Sequence, residues 1–347
     1  MNTYAYIIAI EEYRLSNEQT FGIRKVRYAR NDANAFKKTI EFYLGVKPEN
    51  VKIFLDKSAN RDFFENELKY ELSQLGDDDR LILYYAGHGF YQNSTNKLTC
   101  WDSDLRNLDG TTVSLQNVVF DALEKSKCKQ SLIFLDCCSN YITEGNIGRD
   151  LVSIIQQDEF IVNSSNGIYS AVFMSCSPGE KSYTDDNLQH GIWTYHLIEA
   201  LKGNLKQAIV DEKYITDTSL RRCLSAVVPK FIKEKTFIDS SQQPFAKINS
   251  SNDFIISEVI KHKIEISEEP STGNKVLVNF QGDQPSNIGS SQLFTDAEHL
   301  NSWINAIHES QLLISIKIEG NKLHFTNQSG ERCFAFIQNV ADDYSNL

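Results

Sequence analysis

The chain has 347 residues, 41% of them hydrophobic and 23% charged, the balance of a folded globular protein with room for a sizeable core. A net charge of −11, from 35 basic against 46 acidic residues, argues against general nucleic-acid binding and mildly favours basic peptide substrates. No stretch approaches the roughly 18–20 apolar residues of a membrane span. The seven cysteines form no C-x-x-C pair, and the start lacks the basic and small-residue features of a leader peptide, so a reduced, cytoplasmic protein is expected.

Strand and helix patterns alternate along the chain. Tyr4–Ile10 reads as a strand and Asn31–Tyr43 as a helix, with Gly45 where a C-terminal cap belongs. Val51–Leu55 reads as a strand, Arg61–Leu75 as a helix, Leu81–Tyr85 as a strand and Ser114–Lys125 as a helix with Leu115, Val118, Val119 and Leu123 on one face. Leu132–Leu135 and Tyr169–Ser175 read as further strands, separated by an irregular polar segment from Ser139 to Gly167. Helices follow at Trp193–Leu201 and Thr218–Lys235, the second interrupted by Pro229. The alternation predicts a mostly parallel sheet flanked by helices, occupying residues 1–257. A linker is expected over 258–270, then a small α+β module over 271–347. In that module Lys275–Phe280, Leu312–Ile318, Lys322–Thr326 and Cys333–Gln338 read as strands and Thr295–His308 as a helix. Gly320-Asn321 fits a hairpin turn, and His299 and His308, nine positions apart, do not form an i, i+4 metal pair.

Two of the apolar runs end in reactive residues. Leu81-Ile82-Leu83-Tyr84-Tyr85 leads into Ala86-Gly87-His88-Gly89, read as a tight turn. Ser131-Leu132-Ile133-Phe134-Leu135 leads into Asp136-Cys137-Cys138. Open α/β sheets bind ligands outside the C-terminal ends of their strands. An imidazole and a thiol delivered there suit a cysteine nucleophile with a histidine base. On composition alone, Cys137 and Cys138 read equally well as buried core thiols.

Tyr84-Tyr85-Ala86-Gly87-His88-Gly89 followed by Leu135-Asp136-Cys137-Cys138 resembles the caspase-like clan of cysteine peptidases, in its metacaspase and bacterial caspase-homologue branch. The spacing of about 50 residues from histidine to cysteine is the one known for caspases. Val26-Arg27-Tyr28-Ala29-Arg30-Asn31-Asp32-Ala33 is similar to that family's segment after the first strand, Ser175-Cys176-Ser177-Pro178-Gly179-Glu180 followed by His190-Gly191-Ile192-Trp193-Thr194 to its later strand, loop and helix, and Gln242-Gln243-Pro244 to the end of its domain. The resemblance covers residues 1 to 257 and implies a caspase-hemoglobinase-like fold.

It also implies roles. Cys138 would be the nucleophile, because the family pattern is Asp-x-Cys, and His88 its general base and acid. Strand alternation agrees that only one of the two cysteines can face His88, leaving Cys137 in the core. The backbone N–H groups of Gly89 and Cys138 would form the oxyanion hole. Asp32 and Asp136 would line the pocket for the residue before the scissile bond (P1), favouring Arg or Lys. Taken alone, Asp32 also reads as an acid in a helix first turn. The chain departs from the family at Ser139-Asn140-Tyr141, Ala86 and Ala29, which bears on fine specificity. No cofactor is required by this chemistry. Some metacaspases use calcium, for which Asp102, Asp104, Asp185 and Asp186 are candidates beside a plain reading as solvated loop acids. Relatives are often cut after the nucleophile, and Arg149 is the only basic residue from Ser139 to Glu180. The expected partner is a protein substrate, in the setting of bacterial stress, cell-death or antiviral systems that the resemblance suggests. The C-terminal module would receive a regulatory protein or ligand, or dock the substrate. A catalytically silent scaffold of the same fold, and another class of cysteine hydrolase or transferase, are the rival readings.

Overall fold

The apolar runs assemble into one eight-stranded sheet in the computed structural model, which describes residues 2–18, 22–92, 95–139, 169–177, 180–249 and 253–259, and, for the backbone only, 275–281, 291–294, 313–319, 322–327 and 332–340. The chain divides into two compact units, Met1–Val259 and Ile260–Leu347.

In the first unit β1 (Asn2–Ala9) leads to helix α1 (Ala29–Tyr43) and β2 (Val51–Leu55). A π-helical turn, Phe63–Leu68, runs into α2 (Lys69–Ser73), followed by β3 (Asp79–Gln92), β4 (Thr95–Thr99), the short α3 (Leu108–Thr111) and β5 (Thr112–Ser114). A second π-helical turn, Gln116–Phe120, precedes α4 (Asp121–Lys125) and β6 (Gln130–Ser139). Then come β7 (Tyr169–Met174), the two-residue strands β8 (Thr184–Asp185) and β9 (His190–Gly191), α5 (Ile192–Leu201), β10 (Ile209–Val210), β11 (Tyr214–Thr216), α6 (Asp217–Lys235), β12 (Phe245–Asn249) and β13 (Ile255–Glu258).

The main sheet runs β12-β7-β6-β3-β1-β2. Strands β2, β1, β3, β6 and β7 are parallel, and β12 closes the β7 edge antiparallel. Chain order reverses between β1 and β3, so the crevice at the C-terminal ends of these strands is where a doubly wound sheet binds its ligand.

Alternate side chains of each strand feed two cores. Tyr6 and Ile8 of β1 and Leu83 and Tyr85 of β3 pack with Phe64, Leu68 and Leu72. Ala5, Ile7 and Ala9 with Ile82 and Tyr84 pack on Phe36 of α1, Trp193 and Leu197 of α5, and Leu220 of α6. Each fully buried large side chain stabilises the fold by roughly 1.5–3 kcal/mol. The expected mostly parallel sheet with helices on both faces is therefore what forms.

Helix α6 is not interrupted at Pro229, contrary to the expectation from its ring. Proline removes the N–H that would reach the carbonyl four residues back. That carbonyl, on Ser225, accepts instead from Gln243 Nε2 at 3.0 Å. At the other end Thr216 and Ser219 form a reciprocal capping box. Among the described residues no helix is long and apolar enough to cross a membrane.

In the second unit β14 (Lys275–Gln281), β15 (Ser291–Phe294), β16 (Leu313–Glu319), β17 (Lys322–Asn327) and β18 (Arg332–Val340) form an antiparallel sheet in the order β15-β14-β18-β17-β16. The predicted helix Thr295–His308 lies outside the described residues.

Candidate active site

The strand carrying His88 does not end in a turn. It continues to Gln92 and folds back as β4, with Gly89 opposite Leu98, so the Gly-His-Gly reading as a tight turn is corrected. The flanking glycines have a steric cause instead. A Cβ on Gly87 would lie 2.4 Å from the Tyr85 hydroxyl, and one on Gly89 would lie 3.0 Å from Cys137 Sγ. Any larger residue would displace the groups that hold His88 from both sides.

Those groups form a small network. The His88 N–H donates to the Tyr13 hydroxyl at 3.0 Å, which is 2.8 Å from Thr99 Oγ1. Thr99 Oγ1 in turn donates to the His88 carbonyl at 2.9 Å, where the Tyr85 hydroxyl also reaches. Burial pushes both phenols well above their usual range and keeps them neutral donors. The imidazole stacks on the Tyr13 ring with centroids 5.5 Å apart, and its Nε2 lies 2.8 Å from the Arg24 carbonyl. A carbonyl only accepts, so Nε2 carries the proton, and Nδ1 is the basic nitrogen of the neutral ring.

Strands β3 and β6 run in parallel register, with His88 opposite Cys138 and Gly89 opposite Ser139. Two adjacent strands therefore bring histidine and cysteine side by side from 50 positions apart in the chain. Cys137 is buried, 1% exposed, in the core with Leu135 and Met174. The Cys138 side chain and Arg149 lie outside the described residues.

On the face of β6 opposite Cys137, Asp136 meets Asp32 from the first turn of α1. Both are buried, at 7% and 2% exposure. A Cβ on Gly191 of β9 would lie 2.8 Å from Asp136 Oδ2 and 3.1 Å from Asp32 Oδ2. The two carboxylates thus flank one point, separated by no more than the sum of those distances. Asp136 accepts from Thr194 Oγ1 at 2.6 Å and Ser182 Oγ at 2.7 Å. Asp32 accepts from the Gly191 N–H at 3.0 Å and lies 2.6 Å from His190 Nδ1. Burial pushes Asp32 up to about 7, with the hydrogen bond from His190 opposing and the charge of Asp136 adding to the rise. Burial raises Asp136 as well, against its hydroxyl donors.

The chain matches the family model for the caspase domain, peptidase C14, over residues 2–253. It belongs to the caspase domain family. No curated protein sequence matches it significantly. Among solved structures it is similar to the protein GSU0716 of Geobacter sulfurreducens, with 12% identity and a TM-score of 0.49, covering 72% of this chain and 93% of that one. It is also similar to the Drosophila initiator caspase Dronc, with 13% identity and a TM-score of 0.43, covering 71% and 78%.

Tyr13, Arg24 and Thr99, which fix His88 in this caspase domain, and Ser182, which bonds Asp136, carry no local sequence signal. His190, Gly191, Thr194 and Gln242 lie in segments that resemble the family, but nothing in the sequence alone assigns them a role. Gln242 is fully buried and ties together the loops around the two acids. Its Nε2 donates to the Ser175 carbonyl at 2.9 Å and to Ser182 at 3.2 Å, and its Oε1 accepts from the Tyr183 N–H at 3.0 Å.

The acids considered for calcium each have protein partners. Asp102 accepts from the Arg61 N–H, Asp104 pairs with Arg106, Asp185 accepts from the N–H groups of Asn187 and Leu188, and Asp186 pairs with Arg27 and Tyr28. Among the described residues no group of three or more His, Cys, Asp or Glu is placed to hold a metal ion.

Proposed function

We propose that this caspase domain is a cysteine endopeptidase that cleaves a protein substrate after Arg or Lys, with Cys138 as nucleophile and His88 as its base and acid. The observation that carries the reading is the register of His88 against Cys138, together with the Nε2 contact that leaves Nδ1 as the proton acceptor. Nδ1 takes the thiol proton, the thiolate attacks the carbonyl carbon, and the oxygen becomes an oxyanion facing the N–H groups of Gly89 and Cys138. The imidazolium returns the proton to the leaving amine, and water then hydrolyses the thioester by the same route in reverse. Tyr13 and Thr99 hold the ring's backbone while its charge changes.

The P1 preference rests on the paired acids. Two carboxylates flanking Gly191 cannot both ionise cheaply in a buried pocket, and a cationic side chain between them removes that repulsion. Arg is favoured over Lys, since its planar fork bonds two carboxylates at once.

The test is a panel of fluorogenic peptides with Arg, Lys or Asp at P1, incubated with the full chain, with and without calcium. Cleavage after Arg and Lys that disappears in Cys138→Ala and in His88→Ala supports the assignment. Preference for Asp at P1 would overturn the pocket reading, and no cleavage of any peptide would favour the silent scaffold. A calcium requirement would reopen Asp102, Asp104, Asp185 and Asp186 as candidates.

A further inference from the structure

We propose that His190 is a positioning residue of this pocket: its Nδ1–H holds the Asp32 carboxylate, so that entry of a cationic side chain is coupled to loss of the Asp32 proton. The inference rests on the reading of Asp32 and Asp136 as the P1 pocket.

The geometry is specific to His190. Its Nδ1 lies 2.6 Å from Asp32 Oδ1, which also receives the Gly191 N–H at 3.2 Å. The imidazole therefore holds Oδ1, while the Gly191 N–H is shared between both oxygens and lies 3.0 Å from Oδ2, on the side where Asp136 Oδ2 also approaches Gly191. His190 is itself held. Gln189 before it adopts a left-handed backbone (φ +54), and the Gln189 carbonyl accepts from Asn31 of α1, one residue from Asp32. Strand β9 and the start of α1 thus form one unit around the acid.

The charged and titratable groups around the pair come from four elements. They are Asp136 of β6, Tyr84 of β3, Asp185 of β8 opposite His190, and Tyr195 of α5, whose ring centroid is 6.2 Å from that of His190. The two tyrosines are raised above their usual range and stay neutral. Among the described residues no lysine or arginine pairs with Asp32 or Asp136. With the pocket empty, the proton held on buried Asp32 removes one of the two negative charges facing Gly191. A guanidinium brings a positive charge, Asp32 ionises, and its proton leaves to solvent. The His190 Nδ1–H donates to the resulting carboxylate.

By linkage, affinity for a cationic P1 group rises with pH up to the Asp32 midpoint and is level above it. The test uses the full chain as Cys138→Ala, so that nothing is cleaved. A labelled peptide with Arg at P1, and the same peptide with neutral citrulline there, are titrated by fluorescence anisotropy from pH 5 to pH 9. The Arg peptide should gain up to about tenfold in affinity per pH unit below a midpoint near that of Asp32, about 7, while the citrulline peptide stays flat. His190→Phe removes the donor, so its midpoint should rise by about one unit. His190→Asn keeps a neutral donor, and its midpoint should stay close to wild type. Asp32→Asn should bind the Arg peptide weakly at every pH, with no midpoint, which covers the case of an unfolded Phe variant. Arg binding whose midpoint is the same in His190→Phe overturns the role of His190 and leaves the pocket standing. Arg and citrulline peptides that bind alike, or fail to bind alike, overturn the pocket itself and the inference with it.

Discussion

Replacing Asp32 by Asn should make the fold more stable and the pocket useless. Asp32 is raised from an ordinary carboxylate value near 4 to about 7. Three units at about 1.4 kcal/mol each set a ceiling of about 4 kcal/mol on the cost of its ionised form. Burial is the largest source of that cost, and the nearby charge of Asp136 adds to it against the hydrogen bond from His190. The sign follows from linkage. The folded state holds the Asp32 proton at a higher pH than the unfolded chain does, so wild-type stability falls as pH rises from about 4 to about 7. The Asn variant lacks that loss, though its amide gives up one acceptor to the Gly191 N–H at a cost of about 1 kcal/mol. Asp32→Asn should therefore match or fall slightly below wild type at pH 4.5 and exceed it by about 1–3 kcal/mol at pH 8. Urea unfolding followed by tryptophan fluorescence at the two pH values measures this. In the same samples kcat/KM on a P1-Arg peptide should drop thirtyfold or more, as expected for losing one partner of a buried charge pair. A variant less stable than wild type at pH 8, or with the same pH slope, would refute the view that Asp32 is a strained, pre-paid charge.

Gly89→Ala should cost about 2 kcal/mol in thermal unfolding, because its methyl meets Cys137 Sγ at 3.0 Å. Adding Cys137→Ala should recover at least 1 kcal/mol of that cost, and strict additivity of the two changes would contradict the contact. Tyr13→Phe leaves the His88 N–H without its acceptor and should lower kcat about tenfold with KM unchanged, at a stability cost of about 1–2 kcal/mol. A change in KM alone would place Tyr13 outside the histidine's support. Gln242→Ala should destabilise the fold by about 2–3 kcal/mol and, by freeing Ser182, raise KM for P1-Arg peptides severalfold. The rate of Cys138 alkylation by iodoacetamide should stay at the wild-type value, since that reaction does not use the pocket.

The fold was most legible where burial follows a local rule. Strand β2 matches the expected Val51–Leu55 to the residue, because an apolar run between Asn50 and Asp56 has one way to pack. Strand β3 overshoots its expected end by seven residues, since Gly87 to Gln92 is polar and glycine-rich and is held in the sheet by β4 and β6 rather than by its own apolar pattern. Strand β12 was missed for a related reason. Its residues are half-buried on an edge, and only pairing with β7 makes them a strand. Pro229 misled because its remedy, Gln243, lies beyond the end of the helix, and no rule about helices alone contains it.

The site divides along the same line. His88 and Cys138 each follow directly on a recognisable apolar run, so the chain advertises both, and parallel pairing does the rest. The acids are different. Asp32 read by itself is a first-turn helix acid, and its position in α1 fits that description. What sets it apart is the company it keeps: Gly191 and His190 from about 160 positions away, and Asp136 across from both. A first-turn acid exposed to solvent would gain from the helix dipole and stay ionised. Asp32 is instead buried beside a second carboxylate, with its charge opposed. Helix capping therefore does not account for keeping an aspartate there; the proposed cationic P1 side chain would.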